Sequence, residues 1–141
     1  MGSEMCIRDR SQTIRHAMLN QITSTVGGSG LWRIYAGSQP AGPDTTNSAT
    51  VLAELVCGST FAPAASSNTL TLNAITQDSS ANNTGTAAWW RISSSGSAAT
   101  AAGHIDGTCG TSDADLILNS TAITAGAVVQ ISSATFTAGN A

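Results

Sequence analysis

The chain contains no lysine, and residues of either charge make up only 9% of its 141 positions, leaving a net charge of −3. Ordinary globular chains carry roughly a quarter of charged residues. A chain so poor in cations cannot neutralise a row of phosphates, so nucleic acid is not an expected partner. No apolar run is long enough to span a bilayer and no export signal is recognisable, so no membrane partner is expected either. Aromatic residues are scarce, at 4%, and there are three prolines and three cysteines. Disorder is excluded on other grounds, because 41% of residues are hydrophobic while the charge is low. A length of this order suits one domain with one core.

What the chain does have is serine, threonine, asparagine and glycine in the places usually given to Lys and Glu. That composition resists nonspecific charge attraction, and its low net charge favours association with neighbours. From Thr13 to Val26, the residues Ile14, Ala17, Met18, Ile22 and Val26 recur at three- and four-residue spacing, which predicts a short amphipathic helix capped by Thr13. Gly27, Gly28 and Gly30 end it in a flexible joint, one that makes exchange of the helix with a neighbouring copy feasible. Residues 11–30 are thus helix and joint, and 31–141 the main domain.

Beyond the joint the pattern changes to short strands. Expected strands run over Leu31–Gly37, Thr50–Cys57, Thr69–Gln77, Gly85–Ser94, Ser97–Asp106, Asp115–Leu118 and Val128–Thr137, with Ser95-Gly96 as a hairpin turn. Seven short strands separated by glycine and hydroxyl turns predict an all-β fold, an antiparallel β-sandwich or jelly-roll-like barrel with one N-terminal helix.

Equipment for chemistry is sparse. His104 and Asp106 would point to one side of a strand and could orient an imidazole for a serine, but no nucleophile turn accompanies them, so a strand-surface histidine is the simpler reading. His16 lies off the helix's apolar stripe and reads as solvated. Asp106, Asp113 and Asp115 could supply oxygen ligands to calcium, although turn formation explains the same letters. No zinc spacing and no cofactor motif is present. Cys57 and Cys109 could pair, or remain buried free thiols as the lack of an export signal suggests. The residues most suited to contact are Trp32, Tyr35, Trp89 and Trp90, with Arg33 and Arg91. Trp89 and Trp90 must face opposite sides of their strand, one in the core and the other outside or under the helix. An exposed tryptophan would stack on a sugar or anchor a protein, whereas both being covered by the chain's own elements is the plain alternative. Arg33 and Arg91 share a Trp-Arg-Ile context, which suggests related places in the sheet, paired across strands or stacked on rings.

The order of segments carries a resemblance. IRHAMLNQI, LWRIYAGSQPAGPDTTNSATVLAEL, TGTAAWWRI and DADLILNSTAITAGAVVQISSATFT together resemble a family of small tailed-phage and prophage virion structural proteins. The resemblance covers most of Thr13–Thr137 and implies a virion component, not an enzyme, so it carries over no catalytic residues. It further implies assembly on phage capsid or tail proteins, oligomerisation, and a place in the virion after synthesis in the host cytoplasm. Capsid decoration or stabilisation is the version preferred here. The alternative is a glycan- or receptor-binding module of a tail fibre or tail component. The first ten residues, MGSEMCIRDR, resemble instead a translated sequencing adapter of the kind left in metagenomic assemblies; a natural arm or expression tag are the alternatives, and a non-native or disordered arm over 1–10 is the expectation.

Overall fold

A computed structural model describes residues 9–139. The expected arm therefore lies mostly outside the described residues. Of its last two positions, Asp9 is exposed, and Arg10 donates from its guanidinium to the carbonyl of Gly139, tying the start of the described chain to its end.

Among the described residues, one helix and nine strands follow in order: α1 (Gln12–Val26), β1 (Leu31–Tyr35), β2 (Val51–Val56), β3 (Thr69–Thr71), β4 (Gly85–Thr86), β5 (Trp89–Ser93), β6 (Ile105–Gly110), β7 (Leu116–Ile117), β8 (Ala122–Ile123) and β9 (Thr135–Thr137). The chain is β-rich around a curled, half-barrel sheet. That sheet has the order β2-β1-β5-β6-β7, while β3-β9 and β4-β8 form two separate ribbons. All pairs are antiparallel except the short β6–β7 contact.

Several expectations are corrected. The helix is capped by Ser11, whose hydroxyl accepts from the Ile14 amide at 3.3 Å, not by Thr13. Its buried stripe is also rotated. Leu19 and Val26 enter the core with Ile22 against it, whereas Ile14 and Met18 stay 51% and 50% exposed. His16 belongs to the inner side: it is half-buried, and its Nε2 accepts from the Asn68 amide at 3.1 Å. Asn20 does the same for the Ala65 amide at 2.7 Å. Backbone amides on the loop after β2 thus select the helix face that docks, and the apolar spacing is overruled.

The joint is pinned. The Ser29 amide donates to Gly58 at 2.9 Å, the Cys57 amide donates to Gly30 at 2.8 Å, and a Cβ on Gly30 would collide with the Val26 side chain. Glycine is needed there for close approach, and the helix lies on the chain's own core.

The hairpin expected at Ser95-Gly96 is wider than a tight turn, because β5 pairs with β6 only from Ile105 onward. Gly96 adopts φ 76°, but β6 begins only at Ile105, and residues 94–104 form a loop. The long C-terminal strand over Val128–Thr137 likewise shrinks to β9, with Val129 bridged to Asp78 and the unforeseen β8 ahead of the Gly126 turn.

The core lies on one face of the sheet, where Trp32, Ile34, Leu55 and Ile92 meet Leu19 and Val26 of the helix, Phe61, Leu70 and Ile131. The outer edge of β2 is partly closed by its own chain, through the Val56–Thr76 bridge and a bond from the Glu54 amide to Asp78 at 2.9 Å.

Candidate functional site

All six residues marked for contact sit in two neighbouring strands, β1 and β5, and all six are buried. The antiparallel register aligns Trp32 with Ile92, Arg33 with Arg91, Ile34 with Trp90 and Tyr35 with Trp89. The repeated Trp-Arg-Ile context therefore marks adjacent positions, as expected. Alternation sends Trp32 and Trp90 to the core face, and Arg33, Tyr35, Trp89 and Arg91 to the other. No tryptophan lies outside: Trp89 and Trp90 face opposite sides, yet both are covered.

What covers the second face is a pair of loops, 36–50 and 94–104, and the two arginines hold them. Across four strands the register lines up Glu54, Arg33, Arg91 and Asp106. Each guanidinium is flanked by one carboxylate on its outer side. Arg33 Nε donates to Glu54 at 2.6 Å, and Arg91 grips both oxygens of Asp106 at 2.7 and 2.8 Å. The remaining N–H groups turn to backbone. Arg33 donates to the carbonyls of Ser97 at 2.6 Å and Ala98 at 3.2 Å. Arg91 donates to Thr45 at 2.7 Å, Ala101 at 2.9 Å and Gly42 at 3.1 Å. The Tyr35 hydroxyl and the Asn47 amide both donate to Ala99, at 2.7 and 3.1 Å. The loops also bind each other, Asn47 to Thr100 and Gly103 to Pro43.

Beneath this net, Tyr35 and Trp89 stack at 4.2 Å with planes 8° apart, and the Arg91 guanidinium lies 5.3 Å over the Trp89 ring. Burial raises the Tyr35 pKa above its ordinary value, against the pull of Arg33. The Asp106 hydrogen bond raises that of Arg91, which favours its charged guanidinium. A planar donor fork fits both a bidentate carboxylate and divergent carbonyls, which an ammonium cannot do.

The other candidates are dispersed. Asp106 is claimed by Arg91 and does not serve His104. The imidazole instead lies 2.8 Å from the Ser94 hydroxyl, with both residues at the surface end of the 94–104 loop. That contact has a serine and an imidazole, but the acid proposed to orient it is engaged elsewhere. Asp115 accepts from the amide and hydroxyl of Thr108 at 2.9 and 3.2 Å, a turn-forming role. Among the described residues no three His, Cys, Asp or Glu side chains gather as metal ligands, so Asp106, Asp113 and Asp115 do not converge. Cys57 and Cys109 are both free thiols. Burial pushes Cys57 up to about 11; burial, helped by Asp115, pushes Cys109 up to about 12. Thiols held protonated in this way are inert toward electrophiles.

Sequence reasoning missed Glu54 and Asn47. A period-2 signal for Glu54 was present: it stands between Ala53 and Leu55 in a strand whose neighbour carries a lone arginine. Comparison with protein-family models, curated proteins and solved structures returned no match.

Proposed function

We propose that this chain is a structural component of a tailed-phage particle, in the preferred version a capsid-decorating or stabilising subunit that works by protein–protein packing. The observation that carries this reading is where the polar machinery goes. Its buried arginines, and the carboxylates that answer them, bind loops to the sheet. Large apolar side chains are meanwhile left at the surface: Ile14 and Met18 on the helix, and Ile117 and Val128 near the chain's end. Side chains of this kind, on a surface of low charge, suit burial against neighbouring subunits. With the outer edge of β2 partly closed, apolar packing contributes more than edge-strand pairing. The helix and the two ribbons, which add Leu19, Leu70 and Ile123 to the core of the large sheet, serve in this reading as the second layer of a sandwich-like or jelly-roll-like block. In this reading the protein works as a homo-oligomer in the virion.

Mass spectrometry of particles purified from a host carrying the source phage tests the proposal. The chain is expected at many copies per particle, and its absence would overturn the reading. The alternative, a glycan- or receptor-binding tail module working through a solvent-facing Trp89 or Trp90, has less support because both rings are buried.

A further inference from the structure

A peptide N–H can only donate, so whatever meets one must be an acceptor. The bond from the Asn68 amide to His16 Nε2, at 3.1 Å, therefore fixes the state of that imidazole: Nε2 offers its lone pair and the ring is neutral. His104, the other histidine, is under no such constraint. Its Nε2 meets the Ser94 hydroxyl at 2.8 Å, and a hydroxyl donates or accepts equally well.

Two features give the His16 bond its weight. It lies in the half of α1 that has little else to hold it. Over residues 12–18 no side chain is fully buried, and only Arg15 and His16 are half-buried. Leu19 and Val26 belong to the second half, as does Asn20 with its bond to Ala65. Arg10, ahead of the helix, makes a further tie to Gly139. The bond also ends on a structural corner. Ser67 and Asn68, at φ 51° and 61°, form a tight turn whose flanks, Ser66 and Thr69, exchange both backbone bonds at 2.9 Å. That exchange leaves the Asn68 amide to His16, while the Asn68 carbonyl accepts from Ala138 at 3.0 Å.

A proton added to His16 turns the acceptor into a donor. Two N–H groups then face each other, and the Asn68 amide loses its partner. Residues 55–77 and 116–139, which supply the turn, β3 and β9, contain no ionisable side chain except Cys57. On the chain leading into and along α1 stand the exposed Asp9, then Arg10 and Arg15. Asp44 and His104 border the opposite flank of the helix, beside Met18, Ile22 and Thr25. Among the described residues, a cationic His16 thus has two like charges close in sequence and no carboxylate on the elements it docks against.

We propose that His16 is a proton-sensitive catch, whose protonation frees residues 12–18 of α1 from the Ser67-Asn68 turn while Leu19, Ile22 and Val26 keep the second half in place. Docking of the first half is complete above the range in which imidazoles titrate, roughly pH 6–7, and weakens below it. The device belongs to the chain's own fold and does not rest on the packing role.

Amide hydrogen exchange of the ¹⁵N-labelled full chain, expressed as protection factors so that the intrinsic pH dependence cancels, is the test. On going from about pH 7.5 to about pH 5, the amides of residues 15–18 and of Asn68 are expected to lose protection roughly tenfold. Those of residues 90–92 in β5 are expected to keep theirs. The midpoint of the loss should coincide with the titration of the His16 Cε1–H resonance. His16→Gln, whose carboxamide oxygen can accept from the same amide and does not titrate, should stay protected across the range; His104→Gln should lose protection as the parent does. The proposal is overturned if the parent keeps its protection in acid, as it would if the buried, unpartnered Asn68 Oδ1 accepted from the charged ring. It is equally overturned if β5 loses protection in step, if the midpoint follows His104, or if His16→Gln responds as the parent does. Should His16→Gln fail to fold, the midpoint alone decides.

Discussion

Arg91 is a charge with almost no water, its side chain at 0% exposure and that of its partner Asp106 at 2%. Removing one member of such a pair strands the other. Arg91→Met is therefore expected to destabilise the fold by about 3–5 kcal/mol, read from urea denaturation. Replacing both, as Arg91→Met with Asp106→Leu, should recover part of that loss, the remainder being the loop carbonyls left without donors. Arg33 is different, because Glu54 is 39% exposed on its side chain. Glu54→Gln should cost less than about 1 kcal/mol in the same assay. The thiols set a separate expectation at high pH. Cys57 and Cys109 have folded pKa values raised from 9.0 to about 11 and about 12. The folded chain thus holds their protons more tightly than the unfolded one. Their contribution is complete below pH 9 and is lost as pH climbs through 11 and 12. Stability should fall over that range, and Cys57→Ala with Cys109→Ala should flatten the fall; equal slopes in both proteins would refute the assignment.

At the level of elements, what the sequence made legible were strands with strong branched or aromatic content. β1, β2 and β5 lie within their expected spans because LWRIY, VLAELV and WWRIS combine high strand preference with burial. The segments that failed share one trait. In SAATAAG and VVQISSA distant groups decide the course of the chain: guanidiniums in one case, the bridge to Asp78 in the other. The loop-holding residues were half visible. Arg33 and Arg91 stand out by context, but Asp106 offers no sign of its partner Arg91, because same-face spacing along one strand says nothing about the neighbouring strand. The helix face was misjudged because two hydrogen bonds, from Ala65 and Asn68, outweigh the exposure of Ile14 and Met18. Close packing sets a further test here. A Cβ on Gly107 would run into the Trp90 indole, so Gly107→Ala is expected to lower stability by about 1–3 kcal/mol in thermal or chemical unfolding.

For the molecule as a whole, the apolar side chains left on the helix make self-association the property to measure. Light scattering on the purified chain should show an oligomer, and Ile14→Asp with Met18→Asp should shift it to monomer without loss of folded signal, since neither residue is in the core. A monomer at every concentration in the parent protein would count against the packing role. The arginine clamps carry one more implication at this scale. They hold loops 36–50 and 94–104 by main-chain oxygens, atoms that every amino acid supplies. Asn47 apart, the outward side chains on those loops are thus free of any duty in holding the loops down. The platform can accept a wide range of replacement letters there, which makes it a ready frame for displaying foreign peptides.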